Sequence, residues 1–163
     1  MLRYATALVL LVVPSLLCAQ PADEVAAFMA VRWQAWDNRD AEATATLYAA
    51  DAIVVNVTGN QHIGEQAIAA WYRRLFSDLF PSDLGPRRCT EGTTQMIGEA
   101  VAIVTQECTW YDVLPEEKAT GRQLPIRHSR VTHVLADRGE GWRIVAFRNI
   151  PIWTPFDWRG PNR

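Results

Sequence analysis

Apolar positions in the first third of the chain recur at helical spacing. Val25, Phe28, Met29, Arg32 (through its aliphatic stem), Trp33 and Trp36 predict a helix from Pro21 to Asn38. Asp23 and Glu24 stand in its first turn, where negative charge suits the helix dipole. Asn38-Arg39-Asp40 interrupts the pattern, and Asp40 can cap a second helix over 41–50 with Leu47 and Tyr48 facing inward. Ala52 to Thr58 is β-branched and apolar, a strand. Gly59-Asn60 then turns the chain into a short partner strand over 61–63. Gly64 opens a third helix running to about Leu79, with Ile68, Trp71, Tyr72, Leu75, Phe76 and Leu79 forming a broad apolar stripe. Pro81 prevents its continuation.

Beyond that point the pattern is one of strands. Four long candidates cover 87–97, 99–114, 124–136 and 142–150. Gly98-Glu99 reads as a two-residue hairpin turn, 115–123 as a polar loop, and Asp137 to Gly141 as a Gly-rich turn. The tail from Pro151 is expected to pack along the surface. Helices first and strands later define an α+β class: a curved antiparallel sheet wrapped against three N-terminal helices, with an internal pocket between the layers.

The extreme N-terminus changes the compartment. Met1-Leu2-Arg3 is a short basic start, 5–17 is almost wholly apolar, and Leu17-Cys18-Ala19 offers a cleavage site. This is the layout of a secretory signal, too short for a membrane span of ~20 residues. The expected organisation is therefore a signal peptide over 1–19 and a single domain over 20–163, secreted or periplasmic, without a membrane partner after cleavage. A formal net charge of −2 leaves no basic footprint for nucleic acid. All seven tryptophans follow the signal, available for the core or for a ligand pocket. The three histidines lack metal-ligand spacing, and no nucleotide-binding glycine loop appears, so neither a metal nor a cofactor is expected.

Export also bears on Cys89 and Cys108, since an oxidising compartment permits pairing. A two-residue turn at Gly98-Glu99 sets Ile97 opposite Ala100 and, without a bulge, Cys89 opposite Cys108. Facing Cα atoms in an antiparallel pair are ~4.5–5.5 Å apart, within reach of a disulfide.

In this order of elements the chain resembles the nuclear transport factor 2-like, or SnoaL-like, superfamily, and within it the SgcJ/EcaC group. The resemblance rests on Ala35-Trp36-Asp37 before Asp40, on 47–52, on Val55 to Gly59, on Gly64, Ile68 and Leu75-Phe76, on Arg130-Val131-Thr132, and on 141–149. It spans the whole mature chain and implies a cone-shaped sheet, a pocket on its concave face and a homodimer through the sheet. It also implies that the proton-abstracting aspartate of the steroid isomerases aligns with Asn56, their helix tyrosine with Tyr72, and their second acid near Thr132. An amide has no basic site of useful pKa, so Asn56 does not supply the isomerase base. The oxidoreductase label often attached to the SgcJ/EcaC group finds no supporting residues.

The candidate ligand-binding residues are Asn56, Tyr72, His128, Arg130, Thr132, Asn149 and Trp36. His128, Arg130 and Thr132 share one strand face; Ser129, Val131, His133 and Leu135 share the other, assigned to the dimer or to solvent together with Val55 and Val57. The resulting reading is a pocket protein for a small, largely apolar molecule. Any catalysis would polarise a carbonyl or position water, and no catalytic residue is assigned. The other reading is a non-catalytic dimerisation or association module.

Overall fold

Pro21 starts the first helix, α1 (Pro21–Asp37), at the position where a missing N–H costs nothing. The Asp40 carboxylate accepts from Ala43 N at 2.9 Å and caps α2 (Ala41–Ala45). α3 (Glu65–Arg74) follows Gly64 and ends in a π-helical turn over Leu75–Leu79. Gly64 sits at φ +80°, and a Cβ there would lie 3.1 Å from the Ala50 carbonyl oxygen, so glycine is needed on both counts. The computed structural model describes residues 20–79, 88–109 and 128–152. The expected signal peptide, the Pro81 helix stop, the 115–123 loop and most of the tail lie outside the described residues. Among the described residues, no helix is long and apolar enough to cross a membrane.

The strands are β1 (Tyr48–Val55), β2 (Gln61–Ile63), β3 (Arg88–Cys89), β4 (Thr93–Met96), β5 (Val101–Thr109), β6 (His128–Asp137) and β7 (Trp142–Pro151). They form one open sheet in the order β2-β1-β7-β6-β5-β3, with β4 also beside β5. The α+β class is as the sequence predicts. The sheet is not wholly antiparallel, however, because β1 lies parallel to β7. Those two strands are distant in sequence, so no hairpin dictates their direction.

Two boundaries differ from the sequence pattern for tertiary reasons. The helix expected over 41–50 stops at Ala45, and β1 starts at Tyr48, which pairs with Ile144 of β7. Helix propensity at Ala49-Ala50 yields to a strand partner. The β4–β5 connection has three residues rather than two: Ile97 N bonds Val101 O at 2.8 Å, and Gly98 takes φ +67°. That shifts β4 by one residue against β5, with Met96 opposite Ala102 and Thr93 opposite Thr105. One extra residue over 90–92 reverses the shift, so Cys89 again faces Cys108, and the two form a disulfide. Two offsets cancel, and the expected pair survives.

The core lies between the helices and the concave side of the sheet. Ala52 and Val54 of β1, Ala102 and Val104 of β5, Val131, His133 and Leu135 of β6, and Ile144 and Phe147 of β7 all face it and are buried. From above, α1 and α3 contribute Val25, Met29, Trp36, Ile68, Tyr72 and Phe76.

Candidate functional site

Strand pairing lines up a row of side chains across the concave face. His62 of β2 opposes Val54, Val54 opposes Phe147, Phe147 opposes His133, and His133 opposes Val104. The next row toward the Ser129 end of β6 holds Asn149, Val131 and Gln106. Aromatic side chains of the helices close over both rows. Trp71 stacks on His62 at 5.1 Å and approaches Phe147 at 6.4 Å; Trp33 meets His133 edge-on at 5.7 Å. The Trp33 indole N–H donates to Gln106 Oε1 at 2.9 Å, fixing α1 to the sheet.

Between α1 and α3 lies a polar cluster. Arg32 donates from Nη2 to the Tyr72 hydroxyl at 3.1 Å, and the Tyr72 and Tyr48 hydroxyls share a hydrogen bond of 2.7 Å. Arg32 and Tyr72 are almost wholly buried, at 1% and 0% exposure. The guanidinium carbon lies 4.1 Å from the Trp33 ring centre and 5.2 Å from that of Trp36. Burial, reinforced by Tyr48 and opposed by Arg32, pushes the Tyr72 phenol well above its usual pKa, so it keeps its proton.

The candidate residues separate cleanly. Tyr72 and Asn149 are on the inner side, and the Asn149 Oδ1 is buried without a hydrogen-bond partner. Trp36 is packed edge-on among Trp33, Tyr72 and Phe76 as core wall. His128, Arg130 and Thr132 require correction: they lie on the convex face. Ser129, Val131, His133 and Leu135 are each 0% exposed, and their burial fixes the strand's parity. On the convex side Arg130 pairs with Glu107 at 2.6 Å, His128 Nδ1 meets Thr109 Oγ1 at 3.1 Å, and Thr132 faces Thr105. Val131, Leu135 and His133 are consequently core, not dimer surface or solvent-facing. Asn56 is also corrected. It follows β1, and its Oδ1 accepts from Thr58 N, Thr58 Oγ1 and Asn60 N at 3.0, 2.8 and 2.9 Å. That is a turn-capping side chain, committed to its own backbone.

The residues that sequence reasoning missed are Arg32, Tyr48, His62, Gln106 and His133. Arg32 stands inside the apolar stripe of α1, a position that marks a buried stem but not a buried charge. A separate groove of about 470 Å³ lies by the β6–β7 turn, lined by Asp51, Glu65, Arg138 and Arg143 among others. Its Asp51–Arg138 ion pair is exposed and bidentate at 3.0 Å, whereas the concave face holds the buried, unpaired Asn149 Oδ1 and is the candidate site.

His62 yields an expected result. Desolvation lowers its pKa below the usual 6.5. The unfolded chain therefore binds the proton more readily, and stability falls as pH drops from about 6.5 toward the folded value. Melting curves of the wild type and His62→Gln between pH 7.5 and 5 are expected to show a flatter pH dependence for the variant. Equal slopes would assign the acid sensitivity elsewhere.

An open sheet with helices laid across its concave face defines the nuclear transport factor 2-like class, also called cystatin-like. The model of the SnoaL-like domain matches residues 25–146, and the chain belongs to that family. A Caulobacter vibrioides protein with a cystatin-like fold is similar at 25% identity and TM-score 0.66, covering 83% of this chain and 92% of its own. A ketosteroid isomerase-like protein from Erwinia carotovora atroseptica is 15% identical with TM-score 0.61, over 81% and 96%. A putative calcium/calmodulin dependent protein kinase II association domain from Xanthomonas campestris is 19% identical with TM-score 0.58, over 83% and 93%. No curated protein matches the sequence.

Proposed function

We propose that this chain is an exported pocket protein of the SgcJ/EcaC type that binds a small, largely apolar molecule against the concave face. The observation that carries the reading is the Asn149 Oδ1, buried and unpaired beside an aromatic row. Buried carbonyl oxygens without a partner are uncommon, and a ligand O–H or N–H supplies one here. Phe147, His133, Trp33 and Trp71 provide the apolar walls. The Cys89–Cys108 disulfide supports a secreted or periplasmic location. Asn56 offers no base, and the chemistry open to this site is polarisation of a carbonyl by hydrogen-bond donation from the Tyr72 and Tyr48 hydroxyls, not proton abstraction by a carboxylate.

The association-module reading draws on the kinase association domain that shares the fold. A two-fold dimer across the convex face, where Ile103, Val134 and Val55 are only half-buried, is compatible with either reading. Native mass spectrometry of protein from its producing cell reads both properties. The proposal expects a homodimer carrying a small molecule at one per chain, and an Asn149→Leu variant with lower occupancy. A ligand-free dimer in both variants would favour the association module.

A further inference from the structure

The cluster formed by Arg32, Tyr48 and Tyr72 has too many protons for its acceptors. A guanidinium brings five N–H donors and each phenol one O–H. The cluster offers two phenol oxygens in return, and two hydrogen bonds join its members. Arg32 Nε and Nη1 are buried without a hydrogen-bond partner. Among the described residues no carboxylate pairs with Arg32. The Trp33 and Trp36 rings answer part of the charge, but a ring centre at 4.1 Å accepts no in-plane N–H bond.

Donor polarity points the same way. Arg32 donates to the Tyr72 oxygen, which leaves Tyr72 free to donate to Tyr48, and Tyr48 then holds a proton with no acceptor in the cluster. The other arrangement strands the Tyr72 proton instead. Either way the surplus consists of donors and one positive charge. A neutral ligand carbonyl would accept one bond and leave the charge uncompensated; an anionic oxygen group accepts several and neutralises it. The cluster adjoins the concave site through Trp33, which contacts Arg32, Gln106 and His133.

We infer that the ligand is an acid: an apolar or aromatic molecule whose carboxylate, or similarly anionic oxygen group, is held by Arg32 with a tyrosine hydroxyl. This inference rests on the pocket reading and specifies its substrate class. Asn149 then marks the other polar contact, an acceptor for an O–H or N–H on the same molecule.

The test uses an isosteric probe pair, 2-naphthoate and 2-naphthamide, titrated against the wild type by tryptophan quenching and by thermal shift. The naphthoate is expected to bind about tenfold more tightly or better, as a buried charge pair requires. In Arg32→Met that preference collapses to about one, while naphthamide binding stays within about threefold. Without ligand, Arg32→Met is expected to melt no lower than the wild type, since an apolar side chain replaces an uncompensated buried charge. Tyr48→Phe, which keeps the charge, is expected to retain most of the preference, and it carries the test if the methionine variant does not fold. Equal binding of the two probes by the wild type overturns the inference and leaves the pocket reading standing. So does a preference that survives in Arg32→Met. Binding of neither probe overturns both.

Discussion

Removing the hydroxyl of Tyr72 is expected to cost about 1–3 kcal/mol, and removing its ring as well about 3–5 kcal/mol more. Tyr72→Phe deprives the Arg32 Nη2 of its acceptor and breaks the 2.7 Å bond to Tyr48, all in a wholly buried setting. Tyr72→Ala then empties a site bounded by Trp71 at 4.5 Å, Phe76 at 5.6 Å and Trp36 at 6.0 Å. Against a total stability of ~5–15 kcal/mol for a domain, the alanine variant should be largely unfolded at modest denaturant. Urea titrations of the three proteins check the order. A phenylalanine variant as stable as the wild type would show that the hydroxyl bonds are replaced without loss.

Loss of the Cys89–Cys108 bond is the second large effect. Its sequence separation is 19 residues. Chain entropy for a loop of that size corresponds to ~3 kcal/mol. For a domain of this length that amounts to a fall in melting temperature on the order of 10 °C. The bond ties the short edge strand β3 to β5, alongside the two-residue ladder and the hydrogen bonds of Thr90 to Gln106 and Glu107. Thermal unfolding of oxidised protein against a Cys89→Ala/Cys108→Ala double variant measures the effect. Two free thiols in denatured, unreduced protein produced in an oxidising compartment would contradict the pairing itself.

The sequence announced the layers more readily than the faces. The stripes of α1 and α3 and the apolar run of β1 are strong periodic signals, and each element exists in the expected order, although β1 covers Tyr48–Val55 rather than 52–58 and the α-helical part of the third helix ends at Arg74. The parity of β6 was also readable: Val131 and Leu135 outweigh Thr132 as core markers. Ser129 and His133 on that face concealed it, because buried polar residues imitate a wet surface. Asn56 sits two residues before Thr58 and three before Gly59, a turn-capping arrangement, yet strand alternation assigned it to the pocket. Arg32 looked like a solvated charge with a buried stem. Only the structure shows the guanidinium itself inside, joined to Tyr72 forty residues away in sequence and through it to Tyr48. The disulfide was found with the wrong turn length, and the pairing survives because the extra residue over 90–92, which no sequence pattern marks, offsets the longer turn.

The central claim is that a small molecule occupies the concave face. Its most direct test is chemical-shift mapping of isotope-labelled protein titrated with 2-naphthamide. The account predicts the largest shifts at the indole N–H groups of Trp33 and Trp71, the backbone of His133 and Phe147, and the side-chain amide of Asn149. Shifts confined to convex-face Arg130 and Thr132, to the groove of Asp51 and Arg138, or absent at saturating probe would contradict it.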